Sequence, residues 1–166
     1  VCDCFRIFNC CYVPNIQMKW DNKFLSLAEL ISTWSKDPST KVGACIVDDK
    51  QHVISVGYNG FPRFVNDDPE RYNDRETKLK FVCHAELNAI LNANGPVNGC
   101  SIYVYPTMMK PASCPECSKA LVQAGIRLLY YYENDNTNPK WAELESFSKA
   151  ILREGRVYCI EVKNEQ

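Results

Sequence analysis

Between Lys23 and Ser35 the apolar residues Phe24, Leu27, Ala28, Leu30, Ile31 and Trp34 recur at three- and four-residue intervals, which predicts one face of an amphipathic helix. Asp37-Pro38 predicts its end, because the residue before a proline is pushed out of the helical region. The pattern then changes. Val42–Val47 and Val53–Tyr58 are short β-rich runs separated by Asp48-Asp49-Lys50-Gln51, which reads as a hairpin, and Gly57-Tyr58-Asn59-Gly60 closes its second strand. From Phe61 to Lys80, prolines, asparagines and charges alternate without a period, so this stretch reads as a long excursion with one helical turn near Arg75 to Leu79. Excursions of that length within a compact domain are usually functional or disordered.

Helical spacing returns from His84 to Ala93 and stops at Asn94-Gly95-Pro96. Ile102–Tyr105 and Arg127–Tyr132 read as strands flanking a helix from Pro115 to Ala124, whose end Gly125 marks. Tyr130 to Tyr132 are read as a buried strand rather than an interface. Trp141, Leu144, Phe147, Ala150 and Ile151 give the stripe of a final helix over Lys140–Glu154; Gly155 ends it before a last strand, Val157–Ile160. The order α-β-β-α-β-α-β-α-β predicts an α/β fold of three layers, α-β-α. Its mixed sheet has roughly five strands with helices on both faces, because parallel neighbours need helical crossovers.

The chain has 166 residues, of which 46% are hydrophobic, enough for one domain with a full core and too few for two ordinary ones. Nineteen Lys and Arg stand against twenty Asp and Glu, a formal charge of −1, so no net positive field is available to hold a polynucleotide. Small substrates are favoured. The ten cysteines are unevenly spread and accompany a strong core and a metal-ligand pattern, which fits a reducing cytoplasmic setting better than a disulfide scaffold. No apolar run approaches the roughly 18 to 20 residues needed to span a bilayer, so a soluble protein without a membrane partner is expected. Residues 1–17, with Cys2, Cys4, Cys10 and Cys11, are read as an extension ahead of a single domain over residues 18–166; a second metal site or a disulfide there stays open.

His84-Ala85-Glu86 and Cys114-Pro115-Glu116-Cys117 change this picture from a fold to a chemistry. His84, Cys114 and Cys117 are three zinc ligands, and three protein ligands leave the fourth tetrahedral position open for water, as in catalytic sites. His84 falls at the start of one predicted helix, Cys114 just ahead of another and Cys117 in that helix's first turn. Both helix N-termini then aim unpaired amides and partial positive charge at the metal. Glu86, two residues past His84, is free to take a proton from the water and later deliver it to a leaving group. His52, the second histidine, lies in or beside the hairpin and carries little weight as a ligand. The order H-x-E followed by C-x-x-C resembles the signature of zinc-dependent base deaminases.

Longer blocks narrow the resemblance. Ser35-Lys36-Asp37-Pro38-Ser39-Thr40-Lys41-Val42-Gly43-Ala44-Cys45-Ile46-Val47, then Gly57-Tyr58-Asn59-Gly60-Phe61-Pro62-Arg63, then Val82-Cys83-His84-Ala85-Glu86-Leu87-Asn88-Ala89-Ile90 are similar to successive blocks of the deoxycytidylate (dCMP) deaminase family, with Gln123-Ala124-Gly125-Ile126 following the cysteines as it does there. The resemblance runs from about Phe24 to Tyr132. It implies the cytidine deaminase fold, a catalytic Zn2+, hydrolysis of the nucleotide dCMP to dUMP and ammonia, and a homo-oligomer, commonly a hexamer. It also implies activation by dCTP and inhibition by dTTP, with Mg2+ accompanying the triphosphate. By the same resemblance Asn59 lines the sugar pocket, its other reading being a turn residue of an Asn-Gly pair. Ala85 offers its backbone to the base.

The phosphate site is unknown from sequence. Lys41, Arg63, Arg71, Arg75, Lys78 and Lys80 are candidates, most of them interspersed with acids. Two departures bear on the substrate. Ser113 stands where the family usually has proline before the first cysteine, and Pro106–Ala112 is a longer connection than the family pattern. Phe64-Val65 also replaces a glycine-containing continuation, which bears more on the regulation by triphosphates than on catalysis. A zinc deaminase for a different aminated nucleotide, nucleoside or base (modified cytosine, adenine or guanine type, or a triphosphate) is therefore an alternative, as is a catalytically silent zinc-stabilised module.

Overall fold

The computed structural model describes residues 14–134 and 138–164, with side chains described from residue 19 onward. Cys2, Cys4, Cys10 and Cys11 lie outside these residues. The first helix, α1, spans Pro14–Ser32 and so begins nine residues before Lys23, crossing the boundary expected at Met18. It also ends before Asp37-Pro38: the Ser32 and Thr33 hydroxyls donate to the carbonyls of Glu29 and Leu30, both at 2.6 Å, and turn the chain out of the helix. Phe24, Leu25, Ala28 and Ile31 form its buried face, whereas Leu30 and Trp34 are more than half exposed; the stripe therefore sits slightly off the predicted one.

Two strands, β1 (Gly43–Val47) and β2 (Val53–Tyr58), form the expected antiparallel hairpin. The excursion that follows is more ordered than its sequence suggests. It contains α2 (Pro69–Asn73) and α3 (Arg75–Phe81), separated by Asp74, whose carboxylate accepts the Glu76 N–H and caps α3. These helices are too short to show a period, so punctuation by proline and charge hid them. After α4 (Ala85–Asn92), β3 (Ser101–Tyr105), α5 (Pro115–Ala124), β4 (Leu128–Tyr132), α6 (Ala142–Glu154) and β5 (Tyr158–Val162) follow in the predicted order. One 3-10 turn over Pro139–Trp141 precedes α6, where the helix was expected to start at Lys140.

The five strands form one mixed sheet in the order β2-β1-β3-β4-β5: β1 runs antiparallel to both β2 and β3, and β3, β4 and β5 are parallel. Alternation along the strands divides the core between two faces. Ala44, Ile46, Ile102, Val104, Leu129 and Tyr131 pack toward residues of α4, α5 and α6. On the opposite face Cys45, Val47, Tyr103, Tyr130 and Tyr132 pack with Phe24, Leu25 and Ala28 of α1. The three consecutive tyrosines of β4 are thus all buried. Gly57 lets α4 lie directly on β2: a Cβ there would stand 2.3 Å from both the Ala85 carbonyl oxygen and the Ala89 nitrogen. The helix is then tied down by Ser55 Oγ donating to the Ala89 carbonyl at 2.7 Å and Asn88 Nδ2 donating to the Tyr58 carbonyl at 2.8 Å.

Candidate functional site

His84 is the N-cap of α4 and Cys114 the N-cap of α5, so two adjacent helices on one face of the sheet present their N-termini to the same point. Cys117 lies in the first turn of α5 and its N–H donates to Cys114 Sγ at 3.5 Å. His84 Nδ1 is 3.3 Å from Cys114 Sγ and 3.4 Å from Cys117 Sγ. A tetrahedral zinc with ordinary Zn–N and Zn–S bonds separates such atoms by about 3.6 Å. The three donors, one imidazole and two thiols at the ends of two helices, therefore fit that ion. Among the described residues these are the three grouped closely enough to hold a metal. His52 lies elsewhere, paired with Asp48 at 3.0 Å on the exposed hairpin.

The four groups perturb one another electrostatically. A hydrogen bond from the Cys117 thiol, then the His84 ring and the Cys117 N–H, hold the Cys114 thiol down to about 4 against its burial, while Cys117 is pushed up by the same sharing. The His84 ring is raised by its contact with Cys114. Glu86, only 5% exposed, has its carboxyl pushed up by burial, with its own backbone N–H and the His84 ring offsetting part of that. A carboxyl held toward its protonated form beside an open cleft is suited to giving and taking protons.

His84, Ala85, Glu86 and Cys114 line a cleft of about 390 Å³. One side comes from the segment after α1, with Asp37, Ser39, Thr40 and Val42. Asn59 joins it there. The Asn59 amide donates to the Thr40 carbonyl at 2.8 Å and accepts the Val42 N–H at 2.8 Å, so it holds the 37–42 segment in place while facing the cleft. Asp37 is anchored by Lys78 of α3, with Nζ at 3.1 Å and both side chains largely buried. Burial alone would raise the Asp37 carboxyl, but the N–H and hydroxyl of Ser39, the Thr40 N–H and Lys78 keep it below its ordinary 3.8.

Of the six cationic candidates, Arg75 and Lys78 line the cleft. Lys41 donates to the Ser35 carbonyl, Arg63 to Asn92, Arg71 to the Asn66 carbonyl and Lys80 to Glu76. The long connection before the cysteines supplies Pro106, Met108, Met109 and Ala112 as another wall. It is pinned from behind: Thr107 Oγ1 donates to the Tyr132 carbonyl at 2.7 Å, Asn134 Nδ2 to the Thr107 carbonyl at 2.6 Å, and the Lys110 N–H to Glu145 of α6 at 3.1 Å. Ser113 is buried, with its N–H on the Pro111 carbonyl at 2.6 Å. Lys140 and Trp141, which the sequence places on a helix face, instead reach the cleft from the 3-10 turn. Their helical spacing gave no signal for this; the break that frees them is Asn138-Pro139.

Among known proteins, the family profile described as the cytidine and deoxycytidylate deaminase zinc-binding region matches residues 18–133, well over half of the chain. The deoxycytidylate deaminase of Mus musculus is 45% identical over 118 residues, covering 66% of this chain and 62% of that protein. An uncharacterised deaminase of Aliivibrio fischeri is 37% identical over 142 residues, covering 84% and 90% respectively. The chain spans about three fifths of the length of the mammalian relatives it matches. The crystal structure of the cyanophage S-TIM5 dCMP deaminase superposes with a TM-score of 0.64 at 24% identity, covering 90% of this chain and 98% of that one, which shows a shared fold.

Proposed function

Because the chain belongs to the cytidine and deoxycytidylate deaminase zinc-binding family, we propose that it hydrolyses dCMP to dUMP and ammonia. The observation that carries the reading is the grouping of His84, Cys114 and Cys117 beside buried Glu86, with His84, Glu86 and Cys114 lining one cleft. His84, Cys114 and Cys117 would hold zinc, which when bound activates water for attack on C4 of the ring. Glu86 takes one proton of that water and passes it to ring N3, then takes the second from the oxygen now bonded to C4 and delivers it to the amino group, so that the C4–N bond breaks, ammonia leaves and C4 becomes a carbonyl. The two helix N-termini stabilise the thiolates of the donor set. Ala85 presents its backbone beside the base, and Asn59, fixed by its two backbone bonds, faces the sugar.

A formal charge of −1 favours a free nucleotide over a polynucleotide. The catalytic unit is residues 18–166 together with the start of α1. A cytoplasmic homohexamer regulated by dCTP and dTTP with Mg2+ is the extension of this reading that family resemblance supports. The described residues contain no helix long and apolar enough to cross a membrane. Met108 and Met109 in the cleft wall favour one second reading, a differently substituted base. Ammonia release from a panel of aminated nucleotides tests both: dCMP should be turned over fastest, and preference for a purine or a triphosphate rejects the assignment. Glu86→Gln should keep zinc and lose about 10²- to 10⁴-fold in turnover; parent-level activity in that variant rejects the mechanism.

A further inference from the structure

The cleft carries more positive charge than the chain around it. Three cationic side chains, Arg75, Lys78 and Lys140, line it against two carboxylates, Asp37 and Glu86, although the whole chain is slightly acidic. Lys78 is neutralised by Asp37 and also donates to Ser39 Oγ at 2.6 Å. Glu86 is buried. Arg75 and Lys140 are left, on α3 and on the turn before α6, and among the described residues neither ammonium nor guanidinium has a carboxylate within ion-pair distance.

We propose that Arg75 and Lys140 form a two-armed clamp for the 5′-phosphate of the substrate, which makes this cleft selective for a nucleoside monophosphate over the nucleoside. The inference rests on the deaminase reading given above. Both side chains are exposed parts of the lining whereas Glu86 is a buried part of it, so a nucleotide whose base reaches Glu86 directs its phosphate away from the buried end, toward exposed residues such as these two. A planar guanidinium pairs with two phosphate oxygens and an ammonium adds a compact second charge.

Lys140 is held for this task. Its backbone N–H donates to Asn138 Oδ1 at 3.1 Å, the Trp141 N–H donates to the Asn138 carbonyl at 2.8 Å, and the ammonium lies 5.5 Å above the Trp141 ring. Glu145, one turn further along α6, accepts the Lys110 N–H and so joins this end of the helix to the connection that carries Met108 and Met109. The other four candidate cations are engaged elsewhere and lie outside the cleft lining.

The test compares parent, Arg75→Gln, Lys140→Gln and Lys140→Arg, all zinc-loaded, with dCMP and deoxycytidine as substrates and with dUMP and deoxyuridine as ligands in calorimetry. Each glutamine variant should lower the ratio of kcat/KM for dCMP to that for deoxycytidine by about 10- to 100-fold, mainly through KM, and weaken dUMP relative to deoxyuridine by a similar factor. Lys140→Arg should keep most of the preference. An unchanged ratio in both assays overturns the clamp, as does an equal loss for phosphorylated and unphosphorylated ligands. If the parent releases no ammonia from dCMP while dUMP binding still depends on Arg75 and Lys140, the deaminase reading fails and the clamp stands. If dCMP is turned over at the parental KM in the glutamine variants, the clamp fails and the deaminase reading stands.

Discussion

Gly57→Ala should damage the metal site without touching any of its residues. The added Cβ would meet the Ala85 carbonyl oxygen and the Ala89 nitrogen at 2.3 Å and Ala89 Cα at 2.9 Å, all backbone atoms that no side-chain rotation can move. Ordinary contact begins near 3.4 Å, so α4 must shift by about 1 Å relative to β2. His84 caps that helix and would move with it, away from cysteines now 3.3 and 3.4 Å distant on α5. Overpacking of this kind costs about 1–3 kcal/mol, or roughly 2–12 °C in Tm for a domain of this size. A misplacement of about 1 Å at a reacting centre can also cost about 100-fold in rate. Thermal melts, zinc competition with a chromophoric chelator, and turnover on dCMP together decide the matter. A variant with the parental Tm, zinc affinity and kcat would refute the claim that close approach at Gly57 sets the position of His84.

Removing the metal with a strong chelator should lower Tm, because the ligands join α4 to α5; Cys117→Ala should begin at the lowered value and respond no further to the chelator. Continued chelator sensitivity in that variant would place the stabilising metal elsewhere. Lys78→Met leaves Asp37 buried without its cation and should cost up to about 3 kcal/mol at neutral pH. The Asp37 carboxyl is held below its ordinary value, so its contribution to stability is present above 3.8 and is lost as pH falls through the lowered value. The gap in urea-unfolding free energy between parent and Lys78→Met should therefore narrow from pH 7 to pH 3.5, and a constant gap would show that the ion pair is not its source.

Much of this molecule was legible in the sequence because periodicity and short-range motifs report local geometry. The helix over Pro115–Ala124 has the predicted limits, since Cys114 caps one end and Gly125, at φ +79°, closes the other. The five strands and their assembly into one mixed sheet followed from the alternation of strand-like and helix-like runs, whereas the order of the strands across the sheet came from the structure. Periodicity failed where elements are short or where a stripe changes its task. Pro69–Asn73 and Arg75–Phe81 bury only Tyr72 between them, so they have no apolar period to detect. Leu30 and Trp34 fit the spacing of a core stripe but lie on the exposed shoulder of α1 and just beyond it.

The metal ligands and the cleft walls were unequally visible for a physical reason. His84, Glu86, Cys114 and Cys117 belong to two helix starts, where backbone geometry fixes each side chain relative to its own neighbours, so short spacings carry the chemistry. The walls converge from segments far apart in the chain. Asp37 meets Lys78 forty-one positions later, and Lys110 meets Glu145 thirty-five positions later. No local pattern encodes such pairs. The consequence is a division of labour: spacing within each helix start sets the grouping of His84, Glu86, Cys114 and Cys117, whereas the long-range anchoring of α3, the 106–112 connection and the turn at Pro139–Trp141 sets the shape of the cleft. Changes at Arg75, Met108 or Lys140 should accordingly alter the choice of nucleotide while zinc stays bound, and changes at Cys114 or Cys117 should abolish turnover of every substrate alike.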